Sequence, residues 1–496
     1  MNLSIDARGI NLYNGTGIGT YTENLLREIL NIDQENNYSI FWSGKNYENF
    51  KKPNSKIILT SKKHGGFYEN YYFPSYIKNN KIDIHHIPQN GIGLCENYSS
   101  NCVVTIHDLI PYVLPETTGR GYLERFLKNM PSIIDNAKGI LTVSEYSKKD
   151  ILKFFNHISE DKVFVTPLAA NSNFKPLDKE VCRNLINSKY NFTTPYILYI
   201  GGFSSRKNAK NLILAFDKIR KDLKLEHSLL LAGSLRDEGK KLLELSKGLS
   251  SGDNIIFTDF ISEELLPTLY SGAEAFIYPS TYEGFGLPPL EAMSCKTPVI
   301  TSNITSIPEV TGDSALLINP FNINELEEAL VKLLNDDNLK NNLAEEGYKK
   351  SLQFSWKNTA IKTLEAYKKI YTSWFINCKI ISLNSSILVM AGALSIVFIN
   401  TNKGLLPLIL LPSANCTFKA YKELGRKSFF IISFDSSSLL VDAKAINTFI
   451  ASLFFPSFKA TKFSPPKSNN LFSPILIEGG FLHSHTPSIS PSDNTL

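Results

Sequence analysis

From Asn2 to Tyr371 the chain alternates two kinds of hydrophobic pattern. Short apolar runs at Leu3–Ile5, Tyr38–Trp42, Lys56–Leu59, Ile82–Ile87, Val103–Ile106, Ile140–Val143 and Val163–Thr166 read as buried strands. Between several of them lie amphipathic stretches such as Tyr21–Ile32 and Tyr122–Asn136, where apolar residues return at helical spacing. Strand and helix in alternation predict a parallel sheet with crossover helices.

A polar, proline-bearing stretch, Leu168–Pro195, reads as a connector. The alternation then restarts, with strands predicted at Tyr196–Ile200, Ser228–Leu231, Asn254–Phe257, Ala275–Tyr278, Pro298–Thr301 and Ala315–Ile318. Helical patterns at Glu325–Leu334 and Asp337–Gln353 close this second series, and Phe354-Ser355-Trp356 leads into a last helix ending near Tyr371. The expected organisation is α/β, with doubly wound parallel-sheet domains at 1–170 and 171–355 and a helix over 356–372. Ligands of such sheets bind in the crevice outside the carboxyl ends of the strands.

The richest chemistry follows the strand Ala275–Tyr278. In Tyr282-Glu283-Gly284-Phe285-Gly286-Leu287-Pro288-Pro289-Leu290-Glu291-Ala292-Met293, two carboxylates bracket a glycine-interrupted turn that enters a helix. Gly284 and Gly286 let backbone amides approach a ligand, and Pro288 suits the start of a helix. The amides there form an anion site, and Glu283 and Glu291 suit hydroxyl groups. Phosphate on the amides and a polyol on the carboxylates together describe a nucleotide sugar.

Three further loops lie at predicted strand ends. Asn14-Gly15-Thr16-Gly17-Ile18-Gly19 is spaced G-x-G-x-G, and Ser43 and Gly44 stand where an NAD enzyme places its ribose-binding acid, so a dehydrogenase is set aside. His107-Asp108 follows the run to Ile106; the imidazole suits donation to a sugar oxygen, or else caps the strand end. The competing pair His85-His86 has no acidic neighbour and is expected at the sheet edge. In Gly201-Gly202-Phe203-Ser204-Ser205-Arg206-Lys207-Asn208, Arg206 and Lys207 can offset diphosphate charge, including the charge that grows as a leaving group departs.

The motif from Glu283 to Glu291 resembles the E-x7-E motif of retaining glycosyltransferases of family 4, which have the GT-B fold. The resemblance covers Asn2 to Tyr371 and implies two Rossmann-like domains facing a central cleft. It implies nucleotide binding mainly on the second domain and the acceptor on the first. Glu291 would bind ribose hydroxyls and Glu283 a hydroxyl of the donor sugar. Gly284, Phe285, Gly286 and Leu287 would offer amides. Gly17 would approach the diphosphate, and His107 would lie beside the donor sugar. The last helix would cross back onto the first domain. Relatives often carry Arg where this chain has Thr20 and Gly202, which leaves the cationic role to Arg206 and Lys207. Front-face attack with retained configuration is implied.

The wording of the chain is most similar to bacterial mannosyltransferases of surface polysaccharide assembly. GDP-mannose is therefore the expected donor, with UDP-sugars as the alternative and a glycan or lipid-linked glycan as acceptor. A non-catalytic nucleotide-sugar-binding subunit is the rival from another class. With no D-x-D motif in this region, fixed cations are expected to replace a metal.

Composition changes this picture little. A formal net charge of +5 is too mild to argue for nucleic acid, though it suits an anionic membrane surface. The cysteines Cys95, Cys102, Cys182, Cys295, Cys378 and Cys416 form no C-x-x-C pair, which points away from disulfides and zinc and toward a reducing compartment. Met1–Ile10 carries Asp6 and Arg8 and reads as a strand rather than a leader. A cytoplasmic protein, free or peripheral on the inner membrane face, is expected.

Past Tyr371 the pattern fails. Over 373–496 charges thin out, serine and phenylalanine become frequent, and no helical or strand period is sustained. Ile387–Ile399 is apolar but shorter than the ~20 residues a membrane helix needs. The favoured expectation for this tail is low order, as in read-through or frame-changed sequence. A membrane-associating appendage and an extra domain are the alternatives.

Overall fold

The computed structural model describes residues 1–94, 102–223 and 225–383, together with short strands at 395–401, 404–410, 416–421 and 429–434; side chains are described through residue 372. The chain divides into two units, Met1–Trp374 and Phe375–Leu496.

The first unit holds two parallel sheets. The first has seven strands: β1 (Asn2–Asp6), β2 (Asn37–Ser43), β3 (Ser55–Thr60), β4 (Ile84–Ile87), β5 (Cys102–Ile106), β6 (Gly139–Thr142) and β7 (Val163–Val165). Their order is β3-β2-β1-β4-β5-β6-β7. The second has six: β8 (Tyr196–Ile200), β9 (Ser228–Ala232), β10 (Ile255–Asp259), β11 (Ala275–Tyr278), β12 (Val299–Ser302) and β13 (Leu316–Ile318). Their order, β10-β9-β8-β11-β12-β13, repeats the first. The strand order therefore reverses between β1 and β4 and again between β8 and β11, which makes two topological switch points.

Local sequence explains the elements. β8 and β11 are apolar along their length because helices cover both faces of a doubly wound sheet. The helix Gly17–Ile32 buries Tyr21, Leu25, Leu26, Ile29 and Leu30, an i, i+4 stripe that packs on β1 and β2. The helix starting at Trp356 returns to this first core, where Trp356, Ala360, Tyr367 and Ile370 join Leu3, Tyr21 and Leu25. A β-carbon on Gly139 would stand 2.2 Å from Ile370, so glycine in β6 is what admits the helix.

Three expectations are corrected. The connector 168–195 contains a helix, Lys179–Tyr190, capped by the Asp178 carboxylate accepting from Val181 N at 2.8 Å. Cys182 and Ile186 bury its inner side, and Asn191 ends it in the left-handed conformation. His85 and His86 do not line the sheet edge: β4 lies between β1 and β5, and both rings are fully buried. Hydroxyl groups lie against them, with Ser4 Oγ at 2.9 Å from His85 Nδ1 and Thr105 Oγ1 at 2.7 Å from His86 Nε2. The last helix runs to Leu383 rather than ending near Tyr371.

In the second unit Ser395–Thr401 pairs antiparallel with Gly404–Leu410, and Cys416–Tyr421 pairs antiparallel with Phe429–Phe434. No alternation announced these strands. Runs such as Phe429-Phe430-Ile431-Ile432 have high strand propensity on both faces at once. Most of the apolar run Ile387–Ile399 falls outside the described residues. No helix among the described residues is long and apolar enough to cross a membrane.

Candidate active site

The four motif-bearing loops stand at the carboxyl ends of β1, β5, β8 and β11, as two switch points require. Of these, the loops after β8 and β11 are stitched together. The carbonyl oxygen of Arg206 accepts from Thr281 N at 2.7 Å and from the Ser280 and Thr281 hydroxyls at 3.2 and 3.1 Å. Asn208 holds the left-handed conformation at φ 59°, and its side chain donates to Pro320 O at 2.7 Å. Asn is among the few non-glycine residues that tolerate this conformation.

This stitching brings Arg206 and Lys207 to Glu283. Oε1 of Glu283 lies 2.9 Å from Arg206 Nη1 and 2.7 Å from Lys207 Nζ. The same oxygen accepts from Tyr278 OH at 3.0 Å and Ser280 Oγ at 2.5 Å. Among the described residues Oε2 accepts no hydrogen bond. Burial alone would raise the Glu283 pKa, but Lys207 and then Arg206 outweigh it and hold the carboxyl at about 2. Glu283 is thus a fixed anion at any working pH. Burial lowers the Lys207 pKa even with Glu283 beside it, and the ammonium also lies 4.8 Å from the centre of the Tyr278 ring.

After Glu283 the turn opens its backbone. Ser306 Oγ donates to the carbonyls of both Glu283 and Phe285 at 2.9 Å, which turns those oxygens away from the amide side. The N–H groups of Gly284, Phe285 and Gly286 meet no acceptor among the described residues. Gly286 has φ 112° and a β-carbon there would strike Ile307 at 2.6 Å, so the turn requires glycine. The helix Leu287–Ser294 follows, with Pro288 in its first turn, and Leu287 offers a first-turn amide.

Glu291 sits one turn into that helix. Its Oε2 accepts from Tyr270 OH at 2.9 Å. Burial raises its pKa to about 7, with the Tyr270 bond pulling the other way. The two glutamates therefore differ in character: Glu283 is always charged, and Glu291 is poised to gain or lose a proton near neutrality.

His107 lies at the end of β5 with its ring edge-on to Tyr21 at 4.8 Å. Its Nε2 is 2.9 Å from the carbonyl oxygen of Pro88, which can only accept. Nε2 therefore carries the hydrogen. Burial lowers the His107 pKa to about 4 despite that bond, so the ring is neutral. Nδ1 is then an acceptor, and the expected donation by His107 is replaced by acceptance.

In the glycine loop, Gly17 begins the helix, and a β-carbon there would have no neighbour within 4 Å. The sterically required glycines are its companions: a β-carbon on Gly19 would lie 2.4 Å from Tyr13 O, and Gly15 has φ 73°. Gly15 faces the exposed ring of Phe260, which follows β10 in the other domain.

The two domains meet beside this chemistry. The carbonyl oxygen of Gly284 accepts from Ser144 Oγ at 2.6 Å and Ser147 Oγ at 3.0 Å. Tyr282 OH donates to Asp150 Oδ2 at 2.5 Å. Glu309 accepts from the N–H groups of Glu145 and Tyr146 at 2.9 and 2.7 Å, capping the helix Glu145–Phe154 from across the cleft. Sequence reading missed Tyr270, Tyr278, Ser280, Ser306 and Glu309. Tyr278 and Ser280 flank the motif and were open to inspection; nothing local marked Glu309.

Among the described residues no group of three or more His, Cys, Asp or Glu side chains could hold a metal ion.

Residues 184–350 match the family model described as glycosyl transferases group 1. The chain is 35% identical over 266 residues to O-antigen chain mannosyltransferase B of Escherichia coli, covering 54% of this chain and 70% of that protein. It is 30% identical over 282 residues to the serotype-specific mannosyltransferase WbdA of Escherichia coli, of which it spans 34%. Among solved structures, sucrose-phosphate synthase from Thermosynechococcus elongatus aligns with a TM-score of 0.60 at 21% identity, over 75% of this chain and all (100%) of that one. WaaG, a glycosyltransferase involved in lipopolysaccharide biosynthesis, aligns at 0.55 with 16% identity, over 73% and 98%. The fold is that of the GT-B glycosyltransferases.

Proposed function

The chain belongs to the group 1 glycosyltransferases, and we propose that it transfers mannose from GDP-mannose to a glycan or lipid-linked glycan acceptor, with retention and without a metal. The observation that carries this reading is the convergence of Arg206 and Lys207 on one oxygen of Glu283, beside three amides with no acceptor. Two fixed cations and a row of N–H groups suit a diphosphate. The oxygen left over on Glu283 suits a hydroxyl of the donor sugar, and Glu291 suits the ribose. The mannosyltransferase names of its relatives support the choice of sugar. Retention is drawn from the resemblance of the Glu283–Glu291 motif to family 4.

In this mechanism the acceptor oxygen bonds to the anomeric carbon on the face from which the phosphate oxygen departs. The hydroxyl proton passes to that leaving oxygen, and the nucleoside diphosphate is released. Arg206 and Lys207 stabilise the charge growing on the phosphate. Glu283 cannot take the proton, because its neighbours hold it ionised. Neutral His107 accepts a hydroxyl hydrogen of the donor through Nδ1.

Peripheral attachment to an anionic membrane belongs to the same reading. Lys62, Lys63 and His64 are exposed next to Phe67 and Tyr71, whose rings are 55% and 67% exposed. Cationic and aromatic side chains together suit a lipid headgroup layer.

The test is transfer by the purified protein from GDP-mannose, UDP-glucose and UDP-galactose to α-mannosides in EDTA, with NMR of the new linkage. An α-mannoside product supports the proposal. Transfer only from UDP-sugars would replace the donor, and an inverted product would remove the retaining mechanism.

A further inference from the structure

Asp108 is a charged side chain on the first-domain wall that the mechanism above leaves unused. It follows His107 just past the end of β5 and is half-buried. A β-carbon on Gly284 would stand 3.0 Å from Asp108 Cβ, so the residue abuts the turn that carries Glu283. Its Oδ1 accepts from Ile110 N at 3.0 Å. Among the described residues Oδ2 accepts no hydrogen bond and no cation pairs with it.

Its neighbours on the first-domain side are already committed. The hydroxyls of Ser144 and Ser147 are spent on Gly284 O, and Nε2 of His107 on Pro88 O. Asn90 accepts from His107 N at 2.8 Å and reaches Tyr122 OH at 3.5 Å. Asp108, set against the turn that carries Glu283, keeps a carboxylate oxygen for something else. The charges of Arg206, Glu283 and Lys207 all act on it, although burial dominates and raises its pKa. A half-buried carboxylate oxygen with no protein partner is open to a hydrogen bond from a ligand in the cleft. A sugar hydroxyl approaching along the first domain fits this oxygen as a donor.

We propose that Asp108 binds the acceptor: Oδ2 takes a hydrogen bond from a hydroxyl of the incoming glycan and seats that sugar against the donor held by Glu283, Arg206 and Lys207. The assignment rests on the reading of those three residues as the donor site.

The experiment uses the full chain with GDP-mannose as donor and methyl α-mannoside as acceptor probe. Asp108→Ala is expected to raise the acceptor KM by roughly 10–100-fold, the loss of one hydrogen bond to a charged group. GDP affinity by calorimetry and the slow hydrolysis of GDP-mannose by water are expected to stay within about twofold, since neither uses the acceptor subsite. Asp108→Asn keeps the shape and the bond to Ile110, so it guards against a folding defect and should show a smaller rise in KM. An acceptor KM unchanged in both variants overturns the proposal. Hydrolysis falling in step with transfer also overturns it, by moving Asp108 to the donor side. A wild-type protein that transfers from no nucleotide sugar would overturn the donor-site reading and this assignment with it.

Discussion

A β-carbon on Gly284 would lie 2.2 Å from the carbonyl oxygen of His107. The motif loop of the second domain thus touches the end of β5 in the first with no room for a side chain. The Gly284→Ala protein must open this contact and lose the Ser144 and Ser147 bonds to the Gly284 carbonyl. Because a displacement near 1 Å can cost about 100-fold in rate, kcat should fall by roughly that factor. Nucleotide affinity should hold, because the proposed function places the nucleotide contacts on the second domain. Calorimetry alongside steady-state kinetics separates the two, and equal losses in both would contradict the assignment.

In the proposed mechanism Arg206 and Lys207 supply the positive charge that other enzymes take from a metal. Replacing both with Ala should cut kcat by at least about 100-fold, at about 1.5–3 kcal/mol for each charged hydrogen bond. Wild-type activity should survive EDTA. Loss in EDTA with recovery on adding manganese would refute the role given to the pair.

Removing the anion from this cluster should also cost stability. Glu283→Gln leaves two largely buried cations without their partner, at about 3–5 kcal/mol near pH 7. The Glu283 pKa falls from an ordinary 4.5 to about 2 on folding, because Lys207 and Arg206 outweigh burial. A depressed carboxylate stabilises the fold above its unfolded pKa and loses that contribution as the pH drops through the folded value. The gap between wild type and variant should therefore narrow between pH 4.5 and 2. Urea melts at several pH values measure it, and a gap independent of pH would be the contrary result.

Glu291 runs the other way. Burial holds its proton up to about pH 7, so folding favours the protonated form and its stability contribution declines as pH rises from 4.5 toward 7. Ribose hydroxyls are better bound by the ionised carboxylate. Affinity for GDP-mannose, whose diphosphate does not titrate in this range, should tighten as pH rises through about 7. The Glu291→Gln protein should bind more weakly and without that dependence. A wild-type affinity flat from pH 6 to pH 8 would argue against a ribose role, since about one pKa unit of ionisation on each side is covered.

The boundary between the two units falls between Trp374 and Phe375. A chain ending after Phe375 should keep transfer activity and melt no lower than the full chain. Insolubility or lost transfer on truncation would make the tail a working part.

Much of this architecture was legible because doubly wound sheets write themselves in apolar runs. β8, β9 and β11 fall within a residue of their predicted places, since buried parallel strands are hydrophobic on both faces. The meeting of Glu283 with Arg206 and Lys207 could be anticipated because their loops follow the ends of the neighbouring strands β11 and β8. What escaped were relationships that no local pattern encodes. His85 and His86 look like surface residues until hydroxyls from Ser4, Thr105 and Tyr367 are brought to them from three other elements. The donor character expected of His107 depended on which nitrogen met Pro88 O, a contact spanning 19 residues. Glu309 reads as an ordinary helix glutamate until the other domain's helix is set against it.

The return of the helix Trp356–Leu383 sets an order of events during synthesis. Tyr367 OH meets His86 Nδ1 at 2.6 Å across a separation of 281 residues, and Trp356, Ala360 and Ile370 fill the same core as β1. As the chain leaves the ribosome, the first domain can assemble its sheet early but cannot close its core. The groove that receives the helix stays open, with His86 short of one partner, while the whole second domain is made and folds. At ~5–20 residues per second, that interval lasts roughly ten seconds to about a minute. Of the two domains, the first to be made is thus the last to be finished, and a ribosome stalled before Trp356 would hold a chain with an exposed apolar groove.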